Sequence, residues 1–304
     1  MLSLQYSPLE ALRRRIENRI WSVTRTSTGY PIDLSTPRGD PGLFGPASVS
    51  WKVHDDFPAM MVGGVRALIL QALHPLALAG VLEHSIFRQD MRGRLARTAQ
   101  FVAGTTYGST RDAMGLIGHV NRIHQGISGV SADGRPYAAT SPELLKWVHV
   151  AEVSSFLGAY LRYVNPRLTP ADQDRYLAET ATVARQLGAA DVPESLDALR
   201  AYMHAQRGVL MASARMHDAI SQLVMQADAS PSERLAMRIF LGAAIRLLPS
   251  WASSILGPPL TRLVRGFPEP AMHAGCVLLR WAIRNSAAAR AQARVAPCAE
   301  AVSL

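Results

Sequence analysis

Cysteine is nearly missing from this chain. Cys276 and Cys298 are the only two among 304 residues, and they form neither a CxxC pair nor a metal-ligand spacing. A disulfide scaffold and a zinc ribbon are thereby excluded, and a reduced, cytoplasmic setting is expected. Lysine is equally scarce. Lys52 and Lys146 stand alone, so the formal net charge of +9 is carried by arginine. Genome composition is one account of that bias; arginines aimed at cofactor carboxylates or a lipid surface are another. They are spread along the chain with no recognition motif among them, which speaks against nucleic-acid binding. GxGxxG is absent, as is any βα rhythm, so a nucleotide-binding sheet is not expected. Arg13-Arg14-Arg15 near the start is followed by no apolar run, which argues against a secretory or twin-arginine signal. No internal repeat is found.

What the chain has is hydrophobic residues, 48% of it, in helical spacing nearly throughout. Helices are predicted over roughly 7–22, 57–86, 90–106, 109–127, 141–163, 169–187, 193–207, 209–227, 230–248, 250–265 and 267–291. Ser7-Pro8, Ser141-Pro142, Thr169-Pro170 and Ser230-Pro231 each place a capping residue before a proline at the first helical position. Short strands are expected around 20–30 and 129–140, the latter carrying the turn Asp133-Gly134. The stretch Ala59–Leu82 is long enough to cross a bilayer. It is interrupted by Arg66, Gln71, His74 and Pro75, so it reads as a buried core helix, with peripheral membrane contact left open. The expected architecture is all-α: an N-terminal helix and irregular arm over 1–50, one large helical domain over 51–290, and a frayed alanine-rich tail over 291–304.

Helix faces sort the residues that could carry chemistry. His124 continues the apolar stripe of Ala113, Leu116, Ile117 and Val120. A neutral imidazole between apolar walls can ligate a metal such as haem iron, and it can equally be a core histidine satisfied by a backbone carbonyl. His119 lies at the edge of the same stripe. Arg94, Arg97, Thr98, Phe101 and Thr105 share one face of the 90–106 helix, which could be solvated surface or a pocket wall with donors for carboxylates and oxygen species. His149 and Glu152 stand three apart on one side of the 141–163 helix, a spacing at which a carboxylate can orient an imidazole. His74 precedes Pro75 inside the longest apolar run and needs a partner for its ring nitrogens; Glu83-His84 follows at that helix's end.

The segments ALHPLALAGVLEHSIFRQD, MRGRLARTAQFVAGTTYG, HVNRIHQGISG, DGRPY and SPELLKWVHVAEVSSF occur in that order. With them the chain resembles the oxygenases that include bacterial rubber oxygenase (latex-clearing protein) and the fungal oxygenase that cuts the mycophenolic acid side chain, in particular an actinobacterial branch of that family. The resemblance is close over about residues 50–165 and looser through LLPSWASSILG and the C-terminal helices. It implies an all-helical fold of about ten helices with a globin-like centre, one haem b, and dioxygen as co-substrate. His124 carries over as the iron ligand, and Arg94 and Thr98 as residues lining the pocket. Arg94, Phe101 and His149 are candidates to hold the cofactor, and Arg94, Arg97 and Thr98 to act on oxygen. In rubber oxygenase a lysine that can cap the iron stands immediately before the threonine; here that position is Arg97, and a guanidinium, being always protonated, is no ordinary ligand. The family's pocket glutamate has only Glu83 as a near counterpart, at a spacing that does not match well.

The implied substrate is an apolar, isoprenoid or lipid-like small molecule, reaching the pocket along a helix such as 57–86. A di-iron carboxylate centre is a poor alternative, since it needs two Glu-x-x-His elements and the chain offers the reversed order once, at His149 and Glu152. A non-catalytic haem or lipid carrier is a second alternative, and a helical protein that has lost its haem is a third.

Overall fold

Serine, threonine and aspartate begin most of the helices, by accepting a backbone N–H that the first turn leaves without a partner. In the computed structural model, which describes residues 7–24, 30–84, 91–224, 230–258, 260 and 269–296, Ser48, Asp56, Ser109, Ser141, Thr169, Ser195, Ser230 and Ser286 all cap in this way. Ser230 and Glu233 form a reciprocal capping box. Fourteen α-helices result among the described residues: α1 (Pro8–Thr24), α2 (Val49–Asp55), α3 (Phe57–Ala72), α4 (Pro75–His84), α5 (Met91–Tyr107), α6 (Thr110–Gln125), α7 (Pro142–Tyr163), α8 (Pro170–Gln186), α9 (Leu196–Ala205), α10 (Ala214–Val224), α11 (Pro231–Arg246), α12 (Ser250–Leu256), α13 (Glu269–Ala282) and α14 (Ala287–Val295). One antiparallel hairpin, β1 (Ser128–Val130) with β2 (Pro136–Ala138), pairs Gly129 with Tyr137. The all-α expectation holds, with more and shorter helices than about ten.

The core forms where α3 and α7 pack against each other. Val62, Val65, Ile69 and Leu70 of α3 meet Trp147, Val150, Phe156 and Leu157 of α7, all nearly inaccessible to solvent. Gly63 makes the approach possible: a Cβ there would stand 2.7 Å from Phe156 Cδ1 and 3.1 Å from the Ser155 carbonyl oxygen. The other sides of α3 are covered by α11 and α13, and α8 packs on α7. Burial on nearly all sides explains why both helices carry apolar residues around most of their circumference.

The expected single helix over 57–86 is broken. α3 ends at Ala72, α4 starts at Pro75, and their axes turn by 104°. Pro75 has no N–H, and its ring disfavours the helical conformation at His74. The groups released by the break find other partners: the Met211 amide donates to the Leu73 carbonyl (2.9 Å), and the Ala77 amide donates to His74 Nδ1 (3.4 Å). Among the described residues no single helix is long and apolar enough to cross a membrane.

Four other expectations are corrected. Residues 20–24 continue α1 rather than forming a strand. The 250–265 helix is interrupted at Gly257, with Pro258 and Leu260 helical again and 261–265 outside the described residues, and the 267–291 helix divides at Ser286, which caps α14. The alanine-rich end is not frayed as far as residue 296. Arg294 is 1% exposed and donates to the carbonyls of Leu34 (3.0 Å), Asp40 (2.9 Å), Tyr107 (2.6 Å) and Gly108 (3.3 Å). One guanidinium thus ties the irregular arm to the C-terminal end of α5, where a cation is favoured by the helix dipole. Residues 297–304 lie outside the described residues.

The α3–α7 approach predicts opposite effects at adjacent glycines. Gly63→Ala should destabilise by about 1–3 kcal/mol through overpacking against Phe156. At Gly64 a Cβ meets nothing closer than 4.0 Å, so Gly64→Ala should be neutral or stabilise by up to about 1 kcal/mol. Urea unfolding of the two variants compares them; equal effects would refute the close approach.

Candidate functional site

The helical hairpin of α5 and α6 carries the residues singled out from the sequence. It turns at Gly108 and Ser109, with Ser109 capping α6. The two helices touch where Gly104 faces Leu116, so closely that a Cβ on Gly104 would overlap the leucine side chain. Tyr30 clamps one side: its carbonyl accepts from Gln100 Nε2 (2.9 Å) and its ring lies 5.9 Å from that of His119. Gly115 leaves room for the Tyr30 hydroxyl. From the Gly104–Leu116 contact, Thr98 is six residues back along α5 (104 to 98) and His124 eight residues on along α6 (116 to 124). At 1.5 Å per residue these are about 9 and 12 Å, both toward the end of the hairpin away from the turn. The fold therefore brings Arg97, Thr98 and His124 to one end of one helix pair.

His124 continues the buried stripe of Ala113, Leu116 and Ile117. It is half-buried, its Nδ1 is sealed from solvent, and that atom has no hydrogen-bond partner. Burial pushes its pKa below the usual histidine range, so the ring is neutral. A core histidine satisfied by a backbone carbonyl, the bland alternative, is thus not what the structure holds. Thr98 and Phe101 are half-buried. Thr105, on the same predicted face, is buried and bonds back to the Phe101 carbonyl (2.8 Å). The side chain of Arg94 lies outside the described residues, although its backbone belongs to α5.

His149 and Glu152 do not pair. Glu152 accepts from Gln71 Nε2 of α3 (3.3 Å), while His149 Nε2 is buried with no partner. Burial and Arg185 push the His149 pKa down to about 4. His74 is buried beside Trp147, with ring centroids 6.0 Å apart, and is likewise pushed down to about 4 by burial and by Arg135. Glu83 is engaged elsewhere: the Tyr137 hydroxyl donates to it (2.6 Å), as do the Arg215 guanidinium nitrogens (3.2 and 3.3 Å), and His84 Nε2 lies 3.0 Å from the same hydroxyl. These bonds hold the Glu83 carboxyl below its usual range, and burial together with Glu83 pushes Tyr137 up to about 12.

Sequence reasoning missed several groups. Tyr30 and Arg215 act through contacts far along the chain, which no local pattern signals. His54 is held between Thr106 Oγ1 (2.8 Å) and Tyr176 OH (2.9 Å), and burial pushes it down to about 3. Arg66, by contrast one of the polar interruptions visible in the sequence, is buried in the core; it donates to the Ser154 carbonyl (2.6 Å) and its Nε has no partner among the described residues.

Among the described residues no three His, Cys, Asp or Glu side chains gather in a group able to hold a metal. An iron taking one ligand from the protein and the rest from a porphyrin needs no such group. An unpartnered neutral imidazole, as at His124, is the single donor it requires, so the residues fit haem on this count. A family profile described as "ER-bound oxygenase mpaB/B'/Rubber oxygenase, catalytic domain" matches residues 51–282. Comparison with curated proteins finds no match, and comparison with solved structures finds none either.

The buried neutral histidines set an acid limit on stability. His54, His74 and His149 have folded pKa values near 3 to 4 against about 6.5 unfolded. Below about pH 6.5 the unfolded chain binds protons that the folded chain refuses, so stability falls as pH drops toward 4. Urea midpoints between pH 7.5 and 4.5 should show this decline, and His149→Phe should make it shallower. A midpoint independent of pH, or an unchanged slope in the variant, would count against neutral burial.

Proposed function

The chain belongs to the mpaB/rubber oxygenase catalytic-domain family, and on that footing we propose that it is a haem b-dependent oxygenase acting on an apolar, isoprenoid or lipid-like small molecule. The observation that carries this reading is His124: a neutral imidazole on an apolar stripe, with a buried ring nitrogen that nothing among the described residues satisfies. Haem, when bound, supplies the electrons and the open coordination position that dioxygen chemistry needs.

The chain's own residues then have separate tasks. His124 would donate a ring nitrogen to the iron, and burial keeps that ring neutral. Thr98 offers a hydroxyl donor toward negative charge as it develops on oxygen, with Arg94 and Arg97 on the same helix face adding positive charge. Phe101 supplies an aromatic wall. Arg97 stands where rubber oxygenase has a lysine, and a guanidinium would not close the site on the iron as that lysine can. The inferred reaction inserts oxygen from dioxygen into the apolar substrate, with oxidative cleavage of an alkene to carbonyl products as the form proposed.

α3 is not the expected wall of the substrate path, because α7, α11 and α13 cover it. α4 is better placed: Leu76, Ala77, Gly80, Val81 and Leu82 are only half-buried and present an apolar surface.

Purified protein produced with ample iron should show a Soret band, and His124→Ala should abolish or shift it. Thr98→Ala should keep haem but slow oxygen-dependent turnover by on the order of 10²-fold. An unchanged spectrum in His124→Ala would move the ligand to another histidine. Unchanged turnover in Thr98→Ala would remove α5 from the pocket.

A further inference from the structure

A groove of about 460 Å³ runs between the start of α4, the outer strand β2 and the N-terminal end of α7. Leu76, Pro136 and Leu144 form its apolar walls, and His74, Ser141 and Glu143 its polar points. Most of those polar groups are already engaged. The Ser141 hydroxyl donates to Glu143 Oε2 (2.7 Å) and accepts from the Leu144 amide (3.4 Å) as the cap of α7. Tyr137, whose ring also lines the groove, gives its hydroxyl proton to Glu83.

His74 is the exception. It is 6% exposed. The Ala77 amide donates to its Nδ1, so in the neutral ring the proton sits on Nε2. That Nε2–H has no partner among the described residues. Nor is it sealed away, since no atom of His74 is among the buried side-chain atoms that lack partners. A nearly buried residue with one unengaged donor that still reaches accessible surface, and that lines a groove, directs that donor into the groove. The bend at Pro75 produces this placement: it makes His74 the residue that starts α4, engages one nitrogen with the helix, and leaves the other outward.

We infer that this groove binds an uncharged, largely apolar molecule through a carbonyl oxygen that accepts a hydrogen bond from His74 Nε2–H. Volume and walls suit a small apolar body. The one donor calls for an acceptor on the ligand. The Glu143 carboxylate, with its proton-free oxygens in the lining, disfavours a carboxylate ligand and so separates this site from one for fatty acids. The inference does not rest on His124 holding iron.

Trp147, beside His74, provides the readout. Titration of the protein with geranylacetone, an isoprenoid ketone, should change tryptophan emission saturably, and Trp147→Phe should lose most of that change. His74→Asp keeps a good acceptor for the start of α4 and carries no N–H donor. It should weaken binding about fivefold, the loss of one neutral hydrogen bond. Ala138→Phe, which fills the groove from β2, should abolish binding. Geranic acid, the matching carboxylate, should bind more weakly than the ketone. Binding should persist in His124→Ala, which separates failure of this site from failure of the haem reading. No saturable change, equal affinity in wild type, His74→Asp and Ala138→Phe, or tighter binding of the acid would each overturn the inference.

Discussion

The approach of α3 to α7 at Gly63 is the constraint on which the rest of this structure depends. Backbone nearly touches side chain there, with Phe156 and the Ser155 carbonyl occupying the space a Cβ would need. The pair is the spine of the core, and α4, the next helix along the chain, takes its place from it. Pro75 stops α3 and turns the chain by 104°, so α4 leaves the core instead of extending through it. That turn changes an apolar run long enough to span a bilayer into a buried helix and a half-exposed one. It also places His74 at the start of the second helix, with Trp147 of α7 beside it.

A second, smaller constraint positions the α5–α6 hairpin. Arg294 reaches four backbone carbonyls, two of them at the end of α5 and two in the irregular arm. A buried guanidinium is costly unless its donors are met, and here carbonyls meet them without a carboxylate. The arm, thus held, brings Tyr30 between Gln100 and His119. The hairpin is fixed near its turn, and its far end carries Thr98, Arg97 and His124. Leaving the His124 ring without a partner costs stability, as does the orphaned nitrogen of His149.

Local chemistry made much of the fold legible in the sequence. Ser141-Pro142, Thr169-Pro170 and Ser230-Pro231 begin α7, α8 and α11 as their capping logic requires, and Asp133-Gly134 turns the one hairpin. The apolar stripe of α6 was legible with His124 on it, but a ligand role for that histidine came only from the family resemblance. The failures have physical causes too. The 57–86 run hid its break because the hydrophobic pattern continues through Pro75 unchanged. His149 and Glu152 share a helix side, but spacing cannot show that Gln71 of another helix claims the carboxylate. Arg294 sits in an alanine-rich segment of low pattern, and its four partners are between 186 and 260 residues away. Such long-range clips leave no local trace.

The central claim is that the His124 ring ligates iron in an oxygenase built on this hairpin. Resonance Raman spectroscopy of the reduced protein tests it most directly. The account predicts an iron–imidazole stretching band that shifts when histidine is labelled with ¹⁵N and disappears in His124→Ala while other haem bands remain. A reduced protein with haem bound but no such band, or a band that survives in His124→Ala, would contradict it.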